Sequence, residues 1–374
     1  FTATTQSCQP LTTRRRARLT GTPPHLPKEK AVTLPHPPAH PAPPTLADVA
    51  LLAGVSCATA SRVLTGSARV RPHTRDKVEQ AITQLGYARH RAPRTPHPHH
   101  TGSIALVVCE QTVKFFADPF FARLLWGITK TLTTTGLQPV LLTLYSPHDY
   151  HTLTRYLRSG HVDGALIISL HAHPSIDLTS LGLPLVLCGR PTTSAEHLTY
   201  VDADNLHGAQ QAVHHLIHTG RQHIATIAGP PDMSPGIDRL AGYRTALTTT
   251  TGPPDPAMIA YGDFTRRSGE HALHRLIDHR PSLDALFVAS DLMATGALHA
   301  LHRLGRRVPD DVAVIGFDDL PLSQHTHPTL STVRQPVDTI GTHMVHELLA
   351  QLTTKNRPPN HVILPTQLIL RQST

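Results

Sequence analysis

Cysteine is scarce in this 374-residue chain: Cys8, Cys57, Cys109 and Cys188 lie far apart, and no two form a CxxC pair. That spacing excludes a zinc knuckle and a disulfide scaffold and suits a reducing compartment. Also missing is any apolar run of about 18 residues, the length that crosses a bilayer. The cluster Arg14, Arg15, Arg16 is not followed by an apolar stretch, so no secretory signal is read there. A cytoplasmic location without membrane association is expected. No GxSxG elbow, HExxH pair, P-loop or GxGxxG follows a predicted strand, which leaves catalysis without a motif. Neither an enzyme nor a cofactor is expected.

Two residue types are abundant, with 34 prolines and 29 histidines. Proline crowds residues 1–43 and the stretch His90–His100, which predicts disordered or extended chain in both places. Histidine raises the question of metal. His214 and His218 stand at helical i, i+4 spacing and His97, His99 and His100 cluster, yet neither set has an acidic or cysteine partner to complete it. Solvated histidines are the expected reading, with no metal.

The net charge of +8 is unevenly placed: residues 1–100 hold 14 Lys or Arg against four acidic residues, and the remainder is slightly acidic. A basic module joined to a near-neutral body fits nucleic-acid binding attached to a sensing domain.

The segment between the two proline-rich stretches reads as three helices. Thr45 and Asp48 match a capping box, followed by Leu46, Val49, Ala50 and Ala53 at helical spacing. Gly54 supplies a tight turn, and Ser56 caps a second helix with Ala60, Val63 and Leu64 inward. Pro72 opens a third, with Val78, Ala81, Ile82 and Leu85 on one face and Gly86 at its end. A helix, a Gly turn and a second helix is the arrangement that lays one helix in the DNA major groove. Here that helix offers Cys57, Ala58, Thr59, Ser61 and Arg62. Arg62 is suited to bidentate bonding of guanine, whereas Cys57 and Ala58 are small enough to meet only a thymine methyl.

From Ser103 onward, apolar runs alternate with amphipathic helices. Strands are predicted at Ile104–Cys109, Pro139–Leu144, Gly164–Ile168, Leu185–Leu187, Ile224–Ala228, Ala285–Ala289 and Val312–Phe317. Helices are predicted at Phe120–Thr135, Leu206–Thr219, Arg239–Thr250, Arg266–His279 and Leu292–Leu304. This alternation implies parallel sheets covered on both faces, and its length favours two α/β subdomains with a cleft between them.

The stretch "TLADVALLAGVSCATASRVLTGSARVRPHTRDKVEQAITQLGY" resembles the headpiece of the lactose-repressor (LacI/GalR) family. The resemblance continues through "DPFFARLLWGI", "VDGALII", "YVDADNLHGAQQAVHHLIHTGRQHIATIAGPP", "DRLAGYRTAL", "ASDLMATGALHAL", "VPDDVAVIGFDDLPL" and "PTLSTVRQP", covering about residues 45–371. It implies an all-α helix-turn-helix headpiece joined to an α/β periplasmic-binding-protein-like body of two parallel-sheet subdomains, crossed three times by the chain. The expected divisions are an extension at 1–43, a headpiece at 44–88, a hinge at 89–102 and a body at 103–371. Within the body, one subdomain takes 103–202 and 335–361, the other 203–334 and 362–371. The resemblance further implies a homodimer on double-stranded operator DNA, a small-molecule effector and repression as the default. Its base-facing positions match Cys57, Ala58 and Arg62; Thr45, Ser56, Thr59 and Ser61 complete the expected DNA contacts. Rival readings are a solute-binding protein, which requires an export signal and no headpiece, and a decayed regulator.

The hinge departs from the family. Relatives form a short helix there in the DNA complex and push a Leu into the minor groove, but this chain has Pro96 at the matching position and Pro93 three residues earlier. Each proline costs about 3 kcal/mol inside a helix. Two readings stay open. A proline wedges the base step while Arg91 and Arg94 follow the minor groove, or the segment is a flexible basic linker that couples ligand to DNA weakly.

For the effector, the resemblance places Asp118, Phe120, Arg239, Ser290, Asp291 and Asp318 at the cleft, with Arg190 at a similar strand end. An Arg opposite carboxylates selects a polar small molecule. Some family members carry Asn where Ser290 stands and a second Arg where Ile237 stands, so the usual sugar-binding set is incomplete.

Overall fold

The structure, a computed structural model, describes residues 45–64, 70–85, 101–144, 147–171, 178–193, 195–250, 252–354 and 357–374. Residues 1–43 and most of the hinge, including Arg91, Arg94, Pro93 and Pro96, lie outside the described residues. The chain divides into two compact units, with the border after Pro96.

In the first unit the helices are α1 (Leu46–Ala53), α2 (Cys57–Leu64) and α3 (Pro72–Leu85). The Thr45 amide donates to the Asp48 carboxylate at 2.7 Å and the Asp48 amide donates back to the Thr45 hydroxyl, so both ends of the capping box close. Gly54 then turns the chain with φ +66°, a conformation in which a β-carbon is disfavoured. The two helices meet at 104°. Val49, Ala50, Ala53, Ala60, Val63, Val78 and Ala81 form the buried centre of the unit, with Leu46, Val55, Ile82 and Leu85 packed around it.

The second unit begins with β1 (Ser103–Val108), α4 (Thr112–Ala117), α5 (Pro119–Thr133), β2 (Gln138–Thr143), α6 (Pro147–Arg158), β3 (Gly164–Ile168), β4 (Leu185–Cys188) and β5 (Thr199–Ala203). After this first lobe come α7 (Asn205–His218), β6 (Ile224–Ala228), α8 (Ser234–Thr250), β7 (Ile259–Tyr261), α9 (Arg266–His279), β8 (Ala285–Val288), α10 (Asp291–Arg303), β9 (Ala313–Asp318) and β10 (Ser331–Arg334). The last elements are α11 (Val337–Thr353), β11 (His361–Leu364) and β12 (Gln367–Ile369).

These strands form two six-stranded sheets, ordered β11-β5-β4-β3-β1-β2 and β12-β10-β9-β8-β6-β7. Alternation along β1 explains the layering: Ile104, Leu106 and Val108 pack under α5 and α11, while Ala105 and Val107 face the opposite core with Leu153 and Leu157 of α6. With both faces covered, such strands appear as continuous apolar runs. One pairing departs from the expected parallel sheets, because β12 runs antiparallel to β10 at the sheet edge.

The chain crosses between lobes three times, at 204, at 335–336 and at 365–366. The last crossing falls after Leu364 rather than after residue 361. Strand β11 pairs with β5 of the first lobe in the register His361 to Tyr200, and the His361 and Tyr200 rings stack at 4.4 Å. Helix α8 starts at Ser234, five residues before the expected Arg239, because Pro235 is accommodated in a first helical turn that needs no amide donor.

Candidate functional sites: the recognition helix and the ligand cleft

On α2 the buried side is Ala60 and Val63, which turns positions 57, 58, 61 and 62 outward. Cys57, Ala58 and Arg62 are exposed and Ser61 is half-buried. Ser56 caps this helix, accepting from the Thr59 amide at 3.2 Å, and the two hydroxyls lie 2.9 Å apart. Thr45 and Ser56 are exposed at the starts of α1 and α2, where their hydroxyls also cap the helices.

In the second unit both sheets reverse their strand order, next to β1 in one lobe and next to β6 in the other. Ligands of open α/β sheets bind beyond the carboxyl ends of strands at such switch points. The cavity here lies at those ends: Glu110 follows β1, Ser169 follows β3, Gly189 and Arg190 follow β4, Ser290 follows β8 and Asp318 ends β9. Its atom-free space is about 840 Å³, open mouth included.

Arg239 is the centre of the site. It is buried, with Nε donating to Asn205 Oδ1 at 2.8 Å and Nη1 donating to the Ala289 carbonyl at 2.6 Å and to Asp318 Oδ1 at 3.2 Å. Its guanidinium carbon sits 3.8 Å above the Phe317 ring, a cation–π contact that fixes the plane of the fork. Asp318 also accepts from Gln335 Nε2 at 2.6 Å. Its backbone has φ +110°, a region costly for a side-chain-bearing residue and typical of functional sites. Burial, opposed by Arg239 and reinforced by Asp118, pushes the Asp318 carboxyl up to about 7. Burial likewise lowers the Arg239 value, so the pair is held in a dry environment that outweighs its own attraction.

Of the seven expected ligand residues, Asp118, Phe120, Arg190, Arg239, Ser290 and Asp318 line the cavity. Asp118 caps α5 through the Phe120 amide at 2.9 Å, and burial raises its carboxyl above the ordinary value. Ser290 caps α10 through the Met293 amide. Arg190 donates from Nη2 to Asp238 at 2.5 Å, and its amide donates to Asp202 at 2.9 Å. Asp291, the seventh, is fully buried and stands outside the lining. Its side chain accepts from Thr332 Oγ1 at 2.6 Å and from the Leu320 amide at 2.8 Å, tying α10 to the loop after β9. Ile237, at the position of the missing second Arg, is exposed on α8 and also stands outside the lining.

Several lining residues escaped the sequence reading. Asn205 and Gln335 stand at the first two crossings and hold Arg239 and Asp318 from behind. Glu110 is buried beside Lys114 and His171. Burial alone would raise its carboxyl, but bonds from His171, Lys114 and the Gln111 amide win and hold it at about 2. Phe121 and Phe264 add aromatic faces, with the Phe120 and Phe121 rings 5.4 Å apart. The usable signal was position: Glu110 follows an apolar strand directly, and Asn205 opens a helix just after one.

A helix-turn-helix unit on the same chain as a two-lobed α/β body with a polar cleft defines the class of ligand-sensing DNA-binding regulators. Residues 45–90 match the family of bacterial regulatory proteins, lacI family, and residues 213–374 match the periplasmic binding protein-like domain. The transcriptional regulator CelR of Thermobifida fusca is 44% identical over 333 residues, spanning 88% of this chain and 98% of its own. The repressor CytR of Escherichia coli (strain K12) is 33% identical over 88% of this chain and 96% of its own. Among solved structures, a CelR–cellobiose complex superposes with TM-score 0.72 at 43% identity, over 88% of this chain and all of that one. The lac repressor dimer bound to operator and anti-inducer gives 0.66 at 26% identity, over 89% and 99%. The chain belongs to the LacI family. It is a DNA-binding transcriptional regulator with a periplasmic-binding-protein-like body that takes a small-molecule effector.

Proposed function

We propose that this regulator acts as a cytoplasmic homodimer and represses transcription, with no enzymatic activity. The two headpieces read half-sites of a pseudo-palindromic operator through Cys57, Ala58, Ser61 and Arg62, and the cleft between the lobes at 103–203 and 204–334 takes a neutral sugar. The observation that carries the sugar reading is the buried Arg239–Asp318 pair at 3.2 Å, its guanidinium held over Phe317. It offers adjacent donors and acceptors of the kind that vicinal hydroxyls bridge. Carboxylates at Asp118 and Asp318 disfavour an anionic ligand, and Phe120, Phe121 and Phe264 supply faces for a sugar ring. Cellobiose is the first ligand to test, since the CelR complex holds it.

Isothermal titration with cellobiose, other glucose disaccharides, monosaccharides and an acidic sugar tests the reading. Binding of a neutral sugar with no heat from the acidic one is expected; binding restricted to an anion would overturn it.

A pH dependence follows from Asp318. Its folded value is near 7, above the ordinary 3.8, so the folded protein takes up a proton as pH falls through 7. This group therefore favours folding at lower pH, an advantage gained between about 7 and 4 and lost as pH rises through 7. The same proton removes the carboxylate that accepts from the sugar. Affinity is expected to fall below pH 7 by up to about tenfold per pH unit, the limit for one proton. Titrations of Asp318→Asn beside the native chain check this; an unchanged slope in the variant would contradict it.

A further inference from the structure

At the cleft mouth His171 and Asp232, which do not line the cavity, join a cluster with the lining residues Glu110 and Lys114. His171, just beyond β3 on the first lobe, reaches Asp232, just beyond β6 on the second, with Nδ1 to Oδ2 at 2.8 Å. Its other nitrogen points back to Glu110 Oε2 at 3.5 Å, and Glu110 accepts from Lys114 Nζ at 2.7 Å. The charged groups facing the ring are thus Glu110, Asp232 and, through Glu110, Lys114. Both carboxylates raise the His171 value above its ordinary one, against burial.

The polarity of the cross-lobe contacts is consistent. Arg190 of the first lobe bonds Asp238 of the second, and Arg123 of the first reaches the Asp319 carbonyl of the second at 3.4 Å. In the interior Asp118 of the first lobe faces the Arg239–Asp318 pair of the second, attracted by the guanidinium and repelled by the carboxylate. The rim contacts therefore draw the two lobes together, cation on the first and acceptor on the second. His171 is the rim cation whose charge changes between pH 5 and 8.

We propose that His171 and Asp232 form a proton-dependent latch that holds the two lips of the cleft together without ligand. The charged imidazolium donates to Asp232 while Glu110 stabilises it from behind; the neutral ring keeps the hydrogen bond but loses the charge attraction. Closure is then favoured in acid and relaxed in mildly alkaline solution. The proposal rests on the effector-cleft reading only for its consequence, slower ligand release at low pH.

Hydrogen–deuterium exchange on the full chain without ligand reads the latch directly, comparing the native protein with His171→Gln and Asp232→Asn over segments 110–121 and 229–238. Comparison at equal pH cancels the intrinsic exchange rate. Near pH 6 both variants should exchange about three- to fivefold faster, the scale of a partly exposed ion pair, and near pH 8.5 should match the native chain. Equal exchange at both pH values, or an equal increase at both, would overturn the latch; the second result would mark His171 as a packing residue. A second arm follows the rate of cellobiose release, where the variant-to-native ratio should rise above one only in acid. A failure of cellobiose to bind would count against the sugar reading and leave the exchange result to decide the latch.

Discussion

Arg239→Ala is expected to lower effector affinity at least 100-fold, on the order of 3 kcal/mol, while leaving operator selectivity in place. The substitution removes a cation that satisfies Asn205, the Ala289 carbonyl and Asp318 together, and it leaves those groups buried. Breaking a buried pair from one side is costly because the remaining charge is uncompensated. Asp318, already raised to about 7, should then stay protonated at neutral pH and cease to accept from a ligand. Arg239→Lys separates charge from geometry, since an ammonium restores the charge but not the planar fork over Phe317. Titration calorimetry should place it between the native chain and the Ala variant. Native affinity in the Ala variant would remove Arg239 from the site.

Arg62→Ala is expected to abolish sequence-selective operator binding while effector binding is unchanged. A bidentate contact to guanine supplies about 1–3 kcal/mol of discrimination, and on a two-fold operator the loss is incurred in each half-site. Arg62 is exposed on the outward side of α2, opposite the buried Ala60 and Val63, so the headpiece should keep its fold. A binding-site selection at fixed salt measures this, because non-specific phosphate binding changes steeply with salt. Selection of the same sequence by variant and native protein would contradict the assignment. Cys57 and Ala58 are small and exposed on the same side of α2, and if they face bases, enlarging Ala58 should shift which bases are selected more than it weakens binding.

The headpiece was legible because its determinants are local. Thr45 with Asp48, Gly54, Ser56 and Pro72 each act within four residues, and all appear in the structure as caps, turn or helix start. Strands such as β3 and β6, buried throughout, are apolar in every residue or nearly so and were found at their true bounds. Strand β10 was not, because Ser331 and Thr332 are polar yet fully buried; Thr374 and Asp291 satisfy their hydroxyls from distant parts of the chain. The cleft divides in the same way. Arg239 and Asp318 were carried by family resemblance, and Asp291 beside Ser290 was not separable from them by sequence, although its carboxylate turns into the lobe. His171 and Asp232 stand 61 residues apart and meet only because β3 and β6 end at facing lips. No local pattern encodes that meeting.

The measurement that tests the account most directly is fluorescence anisotropy of the full chain on DNA from its own promoter region, at one salt concentration, with and without saturating cellobiose. The account predicts binding to one site well above that to a scrambled sequence, and a shift in that affinity when cellobiose is added. A shift above about tenfold, near 1.4 kcal/mol of coupling, favours the proline-wedge reading of the hinge, and a smaller one the flexible linker. No preference for any promoter sequence, or an affinity unmoved by a sugar that calorimetry finds bound, would contradict it.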